Sequence, residues 1–203
     1  MHKSIIEKVE EYVEQILRER TPVQNYYHNL YHTLDVVESS IEIGIGEKLS
    51  PDEMEMVQIA AWFHDIGYIE KPEGHEEVSA MYAGNFLNEE NYPEERIAKV
   101  VGCILATKVP QKPKTKLERV VCDSDLNHLG RDKFSARNDY FRKEQEYHRN
   151  RKLTETEWLT STIDFMTRHH FHSGFAINSF SKIKKKNIKD LQLQLDLILN
   201  QSK

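Results

Sequence analysis

"AAWFHDIGY", residues 60–68, is the stretch on which the fold reading turns. Ala60, Ala61, Trp62 and Phe63 are all apolar, so a helix carrying them has almost no solvent face there. His64 and Asp65 follow at once. A carboxylate leaving so apolar a segment needs a compensating charge, or its desolvation is costly. Adjacent residues on a helix diverge by about 100°, so a metal near the helix end is one way for both side chains to serve one centre. The plainer alternative is an Asp capping a loop and a His bonded to a carbonyl. For the dipeptide alone, that alternative is the stronger.

The helix that ends in this stretch has a clear beginning. "SPDE" (50–53) offers Ser as cap, Pro in the first turn and acids against the helix dipole. It opens a helix through "MEMVQIAAWFHD" that breaks near Gly67. Working outward, the whole chain reads as helices joined by short loops. Ser4-x-x-Glu7 is a capping-box pattern, with Ile5, Ile6, Val9, Val13, Ile16 and Leu17 at helical spacing, and Pro22 ends that region. A second helix is expected from near Asn29 to Gly44–Gly46. Further helices fit 75–90, 94–108, 115–129, 132–149 and 154–170, separated by "NYPEE", "PQKPK" and "LGRD". The last segment, 179–200, contains "LQLQLDL", an alternation that would suit a strand. Its length and its lack of β-branched residues favour a helix.

The expectation is therefore an all-α protein forming one domain over 1–203. Its core lies at about 20–170, and the C-terminal helix packs on it or on a second copy of the chain. With 203 residues the chain can bury one sizeable core and does not demand two. Charged residues make up 30% and hydrophobic ones 38%, the balance of a soluble chain. A net charge of −5 argues against a general nucleic-acid binder. The one basic block, "KIKKK" (182–186), reads as a solvated helix face. No apolar run is long enough to span a bilayer, and "MHKSIIEKVEEYVEQ" lacks the apolar region of a signal peptide. Cys103 and Cys122 are too few for a disulfide framework and read as buried free thiols. A cytoplasmic location is expected.

Two other stretches carry chemistry. "QNYYHNLYHTLDVV" (24–37) sets His28 and His32 one helical turn apart where a helix begins. "RVVCDSDLNHL" (119–129) runs apolar, acidic, then apolar. Asp123 and Asp125 are two residues apart, so in a helix they point to different sides, one as a ligand and the other as a cap or supporting group.

In order, His32, His64-Asp65 and Asp125 resemble the H…HD…D signature of the HD superfamily of metal-dependent phosphohydrolases, over roughly residues 20–170. "YHNLYHTLDVV" is similar to the "YHNxxHxxDV" segment of the cyclic-nucleotide phosphodiesterases within that superfamily. There the second His ligates metal and the first gives a proton to the leaving group. By that resemblance His32 is a ligand and His28 the general acid. "CDSDLN" resembles the "CADLSN" segment of the same enzymes, in which the Asp before Leu binds metal, and this selects Asp125. A closer likeness is to a small bacterial group, the predicted metal-dependent HD phosphohydrolases, in "ATK" (Thr107-Lys108), in residues 123–130 and in a "Y-x-R-x-E" element from Tyr140 to Glu144.

The resemblance implies an HD-type helical bundle with one divalent metal on His32, His64, Asp65 and Asp125. Such a mixed nitrogen and oxygen set suits Mn, Fe, Ni, Co, Zn or Mg. It implies hydrolysis, by a metal-activated water, of a small-molecule phosphate ester: a nucleotide or a similar phosphorylated metabolite. His75 in "EGHEEVSA" is a further site candidate, because two-metal members carry extra histidines after the pair. A later His position reads "ATK" here, which argues against a complete second metal site. Lys108 and Arg142 are candidate phosphate clamps, with Glu144 orienting Arg142 or standing behind the site as a base. "RHHFH" (168–172) reads as a helix-end surface feature. The acidic pair that follows HD in the (p)ppGpp hydrolases is absent, replaced by Ile66-Gly67-Tyr68. The alternative is a non-catalytic sensor of the same fold that binds metal or nucleotide, and the filled ligand positions weigh against it.

Overall fold

The computed structural model describes residues 3–201. Among them, nine α-helices follow one another: α1 (Ile5–Arg20), α2 (Leu30–Gly46), α3 (Pro51–Phe63), α4 (His75–Glu89), α5 (Glu94–Ala106), α6 (Lys116–Asp125), α7 (Phe134–His148), α8 (Glu155–Arg168) and α9 (Gly174–Gln201). Short 3₁₀ turns, Ile66–Ile69 and Asn127–Gly130, follow α3 and α6. Four of the helices start on full capping boxes: Ser4 with Glu7, Ser50 with Glu53, Thr115 with Glu118, and Thr154 with Glu157. Each box satisfies two backbone N–H groups that a helix start otherwise leaves unpaired.

The apolar run of α3 is explained by its place. It packs against α1, α2, α4, α5 and α6, and Val57, Ile59, Ala60, Ala61 and Phe63 are fully buried. A helix apolar on all sides belongs at the centre of a bundle. The core cluster around it is continuous and draws on all nine helices, from Val9 in α1 to Leu195 in α9. Trp62 is part of this core. None of the described helices is long and apolar enough to cross a membrane.

The structure moves two boundaries. The helix expected over 115–129 stops as α-helix at Asp125 and tightens into the 3₁₀ turn. The final helix starts at Gly174 rather than 179. Its start is held from outside: the buried Asp123 carboxylate accepts the His172 and Ser173 N–H groups at 2.8 and 2.7 Å, and Ser173 Oγ accepts the Ala176 N–H at 3.2 Å. The "LQLQLDL" alternation is helical, with Leu191 and Leu195 buried and Leu193 and Leu197 exposed. Within the basic block, Lys182, Lys185 and Lys186 face solvent, but Lys184 does not. Its ammonium donates to the His169 carbonyl and lies over the Phe171 ring, and burial lowers its pKa to about 8.

Glycine is required where the fold brings α4 to the end of α3. A Cβ on Gly67 would lie 2.2 Å from the His75 carbonyl oxygen. The bare backbone there lets the first turn of α4 close on the 3₁₀ turn, fastened by the Gly67 N–H to Ser79 Oγ at 2.9 Å. Gly74, at φ +71°, makes the left-handed step into α4. Together they bring His75 to Asp65.

Candidate active site

Three chain segments converge on one point. The first turn of α2 supplies His32. Its cap, Asn29, accepts the Tyr31 and His32 N–H groups and donates to the Asn25 and Tyr26 carbonyls, which fixes the "QNYYHN" turn. The buried end of α3 supplies His64 and Asp65, and the last residue of α6 supplies Asp125. One ligand atom from each of His32, His64, Asp65 and Asp125 lies within 4.8 Å of all the others. His32 Nε2 is 3.3 Å from both His64 Nε2 and Asp65 Oδ2, and 3.4 Å from Asp125 Oδ1.

This donor set fits a divalent metal. His64 Nδ1 lies 2.7 Å from the Ala61 carbonyl, which can only accept, so Nδ1 carries the proton and Nε2 offers a lone pair to the cluster. Asp65 Oδ2 is buried and makes no hydrogen bond, although His64, His32 and His28 Nε2 atoms surround it at 3.1, 3.3 and 3.9 Å. An orphaned carboxylate oxygen among imidazole nitrogens is what a cation would satisfy. Asp125 Oδ2 is turned outward to accept from Gln111 Nε2 at 3.3 Å. The electrostatics agree. Burial works to lower the His32 pKa, but the Asp125 and Asp65 carboxylates beside it outweigh this and set it at about 9. Burial works to raise Asp65, but His64, His32 and His75 hold it well below the usual carboxylate range.

His28 stands beside this cluster in a fixed orientation. Glu144, fully buried in α7, accepts its Nδ1–H with one carboxylate oxygen; the other accepts the Tyr27 and His28 backbone N–H groups, both at 2.9 Å. Burial opposes ionisation of Glu144, but the His28 pairing and these backbone donors keep its pKa below the ordinary value. Tyr68 stacks flat on the His28 ring at 3.7 Å and 9°. His75 donates from Nδ1 to the Pro72 carbonyl at 2.8 Å and turns Nε2 to Asp65 Oδ1 at 3.3 Å. Burial works against its charge, yet Asp65 raises its pKa to about 9.

A cavity of about 860 Å³ opens over His28, Asp65, His75 and Asp125 and runs between α7 and α8. That is within the roughly 300–1,000 Å³ of small-molecule sites. Lys108 lines its rim, exposed and ion-paired with Glu77. Arg142, expected as a phosphate clamp, is not brought to the site. Its guanidinium is taken up by Glu146 at 3.1 Å, the Leu153 carbonyl at 2.7 Å and Glu155. Positions 142 and 144 lie about 200° apart on a helix, so Glu144 orients His28 and not Arg142. Asp123 is a buried cap for the start of α9, not an exposed acid. Of the "RHHFH" cluster, His170 is exposed, but both ring nitrogens of His169 are buried without partners, and burial lowers its pKa to about 3.

Several residues at the site were not singled out from sequence. Tyr27 is buried under His32 at 4.5 Å and shares a 3.1 Å hydrogen bond with His128 Nδ1. Burial and then His32 push His128 down to about 3, so it stays neutral. Phe141 and Trp158 wall the cavity. An aromatic at 141, three before Glu144, was the available signal for a second helix face turned to the site.

The HD domain family matches residues 29–129, which include all four cluster residues. The chain is also similar to a solved crystal structure described as a predicted HD superfamily hydrolase from an uncultured Thermotogales bacterium. The two are 18% identical, superpose with a TM-score of 0.59, and the match covers 99% of this chain and 100% of the other. No curated protein matches the chain.

Proposed function

This chain belongs to the HD superfamily, and from that premise and the site's geometry we propose that it is a metal-dependent phosphohydrolase acting on a nucleotide or a similar small phosphorylated metabolite. The observation that carries the reading is the convergence of His32, His64, Asp65 and Asp125 within 4.8 Å, beside a histidine locked by a buried carboxylate. Those four residues would hold a divalent ion. Such an ion, when bound, supplies Lewis-acid polarisation of the phosphate and a water that ionises near neutral pH.

The protein's own part follows from the hydrogen bonds. Glu144 accepts a hydrogen bond from the His28 Nδ1–H, so the nitrogen that faces Asp65 and the cavity is Nε2. A proton on Nε2 passes to the departing ester oxygen. Stacked Tyr68 and the two backbone bonds to Glu144 keep the imidazole from swinging, and this orientation is a large part of what such a residue contributes. His75 sets its Nε2 beside Asp65 on the wall of the cavity, placed to meet a phosphate oxygen.

The test is metal content of the purified protein, together with turnover of a generic phosphodiester and a phosphomonoester panel under added Mn, Ni, Co and Mg. About one metal per chain with metal-dependent hydrolysis is expected. Metal without turnover of any ester would favour a sensor, and no metal under any condition would overturn the reading.

A further inference from the structure

Asp125 stands at a poor place for a carboxylate. It is the last residue of α6, where the helix dipole presents its negative end. Its two oxygens keep different company. Oδ1 lies 3.4 Å from His32 Nε2 and 3.8 Å from His64 Nε2. Oδ2 accepts from Gln111 Nε2 at 3.3 Å. One oxygen is turned to the cluster, and the other is tied away from it.

Gln111 belongs to the connection between α5 and α6, whose earlier residues Thr107, Lys108 and Val109 line the cavity. Its amide nitrogen also donates to the Cys122 carbonyl, at 3.4 Å, so both of its protons are directed at the last turn of α6. The clasp is returned from the other side, where Cys122 Sγ donates to the Ala106 carbonyl at 3.1 Å. These partners fix the orientation of the amide. Turned over, it would set its oxygen against a carboxylate and a carbonyl, two groups that only accept. As it stands, Gln111 Oε1 is buried without a donor. An unpaired buried acceptor is costly, and a hydrocarbon of the same shape would avoid that cost. What the amide supplies that a hydrocarbon cannot is its pair of donors, one of them aimed at a member of the metal-binding cluster.

We infer that Gln111 is the positioning residue for Asp125: its N–H holds Oδ2 away from the cluster, so that Asp125 offers a divalent ion one oxygen, Oδ1, in a set direction. The inference rests on the metal-dependent reading of the cluster. Gln111 acts through Asp125 and is not itself a ligand. Outer hydrogen bonds of this kind typically carry about 10- to 100-fold in metal affinity or activity. Freed of its partner, the Asp125 carboxylate can rotate and present either oxygen or neither.

The experiment uses the full chain, stripped of metal and titrated with Co²⁺ against a competing chromophoric chelator, with thermal denaturation of each metal-free protein. Gln111→Met is close in length and shape and removes both donors. It is expected to bind Co²⁺ about 10- to 100-fold more weakly than wild type, with a melting temperature close to that of wild type. The deciding comparison is made in an Asp125→Ala background, where the three remaining cluster residues give a weaker site. There Gln111→Met is expected to change Co²⁺ affinity by less than about twofold, because the residue it acts through is gone. A merely structural role would weaken binding equally in both backgrounds. Gln111→Leu makes the same comparison should Gln111→Met fold poorly. Equal Co²⁺ affinity in wild type and Gln111→Met, or an equal loss in the two backgrounds, would overturn the positioning role and leave the metal site standing. Wild-type protein that takes up neither Co²⁺ nor Mn²⁺ would overturn the metal site itself, and the inference with it.

Discussion

Glu144→Gln separates the orientation of His28 from everything else in the site. In the wild type one carboxylate oxygen of Glu144 accepts two backbone N–H groups, and the other accepts the His28 Nδ1–H. The amide is isosteric but has only one oxygen. The two backbone donors will claim it, which leaves the amide NH₂ facing His28 Nδ1. That nitrogen must then accept instead of donate, so the doubly protonated imidazole needed to deliver a proton from Nε2 loses its support. Charge-assisted bonds give way to neutral ones, and the loss of stability should be modest, roughly 1–2 kcal/mol. Turnover should fall by about 10²–10⁴. Metal content should stay at the wild-type level, because Glu144 touches none of the four cluster residues. Glu144→Ala provides the contrast: it strands the buried Tyr27 N–H and the part-buried His28 N–H, at roughly 1–3 kcal/mol each, and should lower the melting temperature much more. The assays are metal analysis, thermal denaturation and steady-state kinetics on the same preparations. A Glu144→Gln protein that folds, holds metal and turns over within threefold of wild type would refute the reasoning, because His28 would then need no fixed partner.

Four further outcomes are expected. His64→Ala and Asp65→Ala should each lose metal and turnover together, and a wild-type metal content in either variant would break the four-residue assignment. His28→Ala should keep its metal while turnover drops by about 10²–10⁴, and unchanged turnover would remove His28 from the chemistry. In the metal-free protein His32 and His75 have pKa values raised from 6.5 to about 9; the stabilisation they give is complete below about pH 6.5 and is lost as pH rises through 9. Metal must displace the His32 proton, so its affinity should weaken by about tenfold per pH unit from 9 towards 7, and a pH-independent affinity in competition titrations would contradict the cluster's electrostatics. Asp123→Ala should cost roughly 2–4 kcal/mol in urea denaturation, because the part-buried His172 and buried Ser173 N–H groups just ahead of α9 lose their acceptor; an unchanged midpoint would show that Ser173 and the helix suffice.

Helix starts were legible because they are local. A Ser or Thr with an acid three residues on is both the sequence signal and the hydrogen-bonded structure, as at Ser50 and Glu53. The burial of α3 was legible for a related reason, since four consecutive apolar residues leave a helix no wet face. The boundaries that moved are those set at long range. Between 170 and 179 the one local signal is Ser173, which caps the helix; the acceptor that organises the start is Asp123, fifty residues earlier. The sequence groups Lys184 with its solvated lysine neighbours, and only the packing of α9 beside His169 and Phe171 singles it out.

The site divides the same way. His32, His64, Asp65 and Asp125 carry their own contexts: side chains able to ligate a metal, set in or beside apolar runs, in an order that resembles one known signature. The residues that tune the site carry none. Glu144 sits in a polar helix, two positions from an arginine and four from a tyrosine, and by sequence alone Arg142 is as good a partner for chemistry as Glu144. The fold decides between them by rotating α7 so that Phe141 and Glu144, three apart, face Tyr27 and His28, while Arg142 turns to α8. Having turned away from the phosphate end, Arg142 still reaches the cavity indirectly, through the ring of Trp158. Ligands that must meet at a metal leave a pattern in sequence, because each is an anomaly where it stands. A carboxylate that orients one of their neighbours is an ordinary glutamate until the helix carrying it is docked.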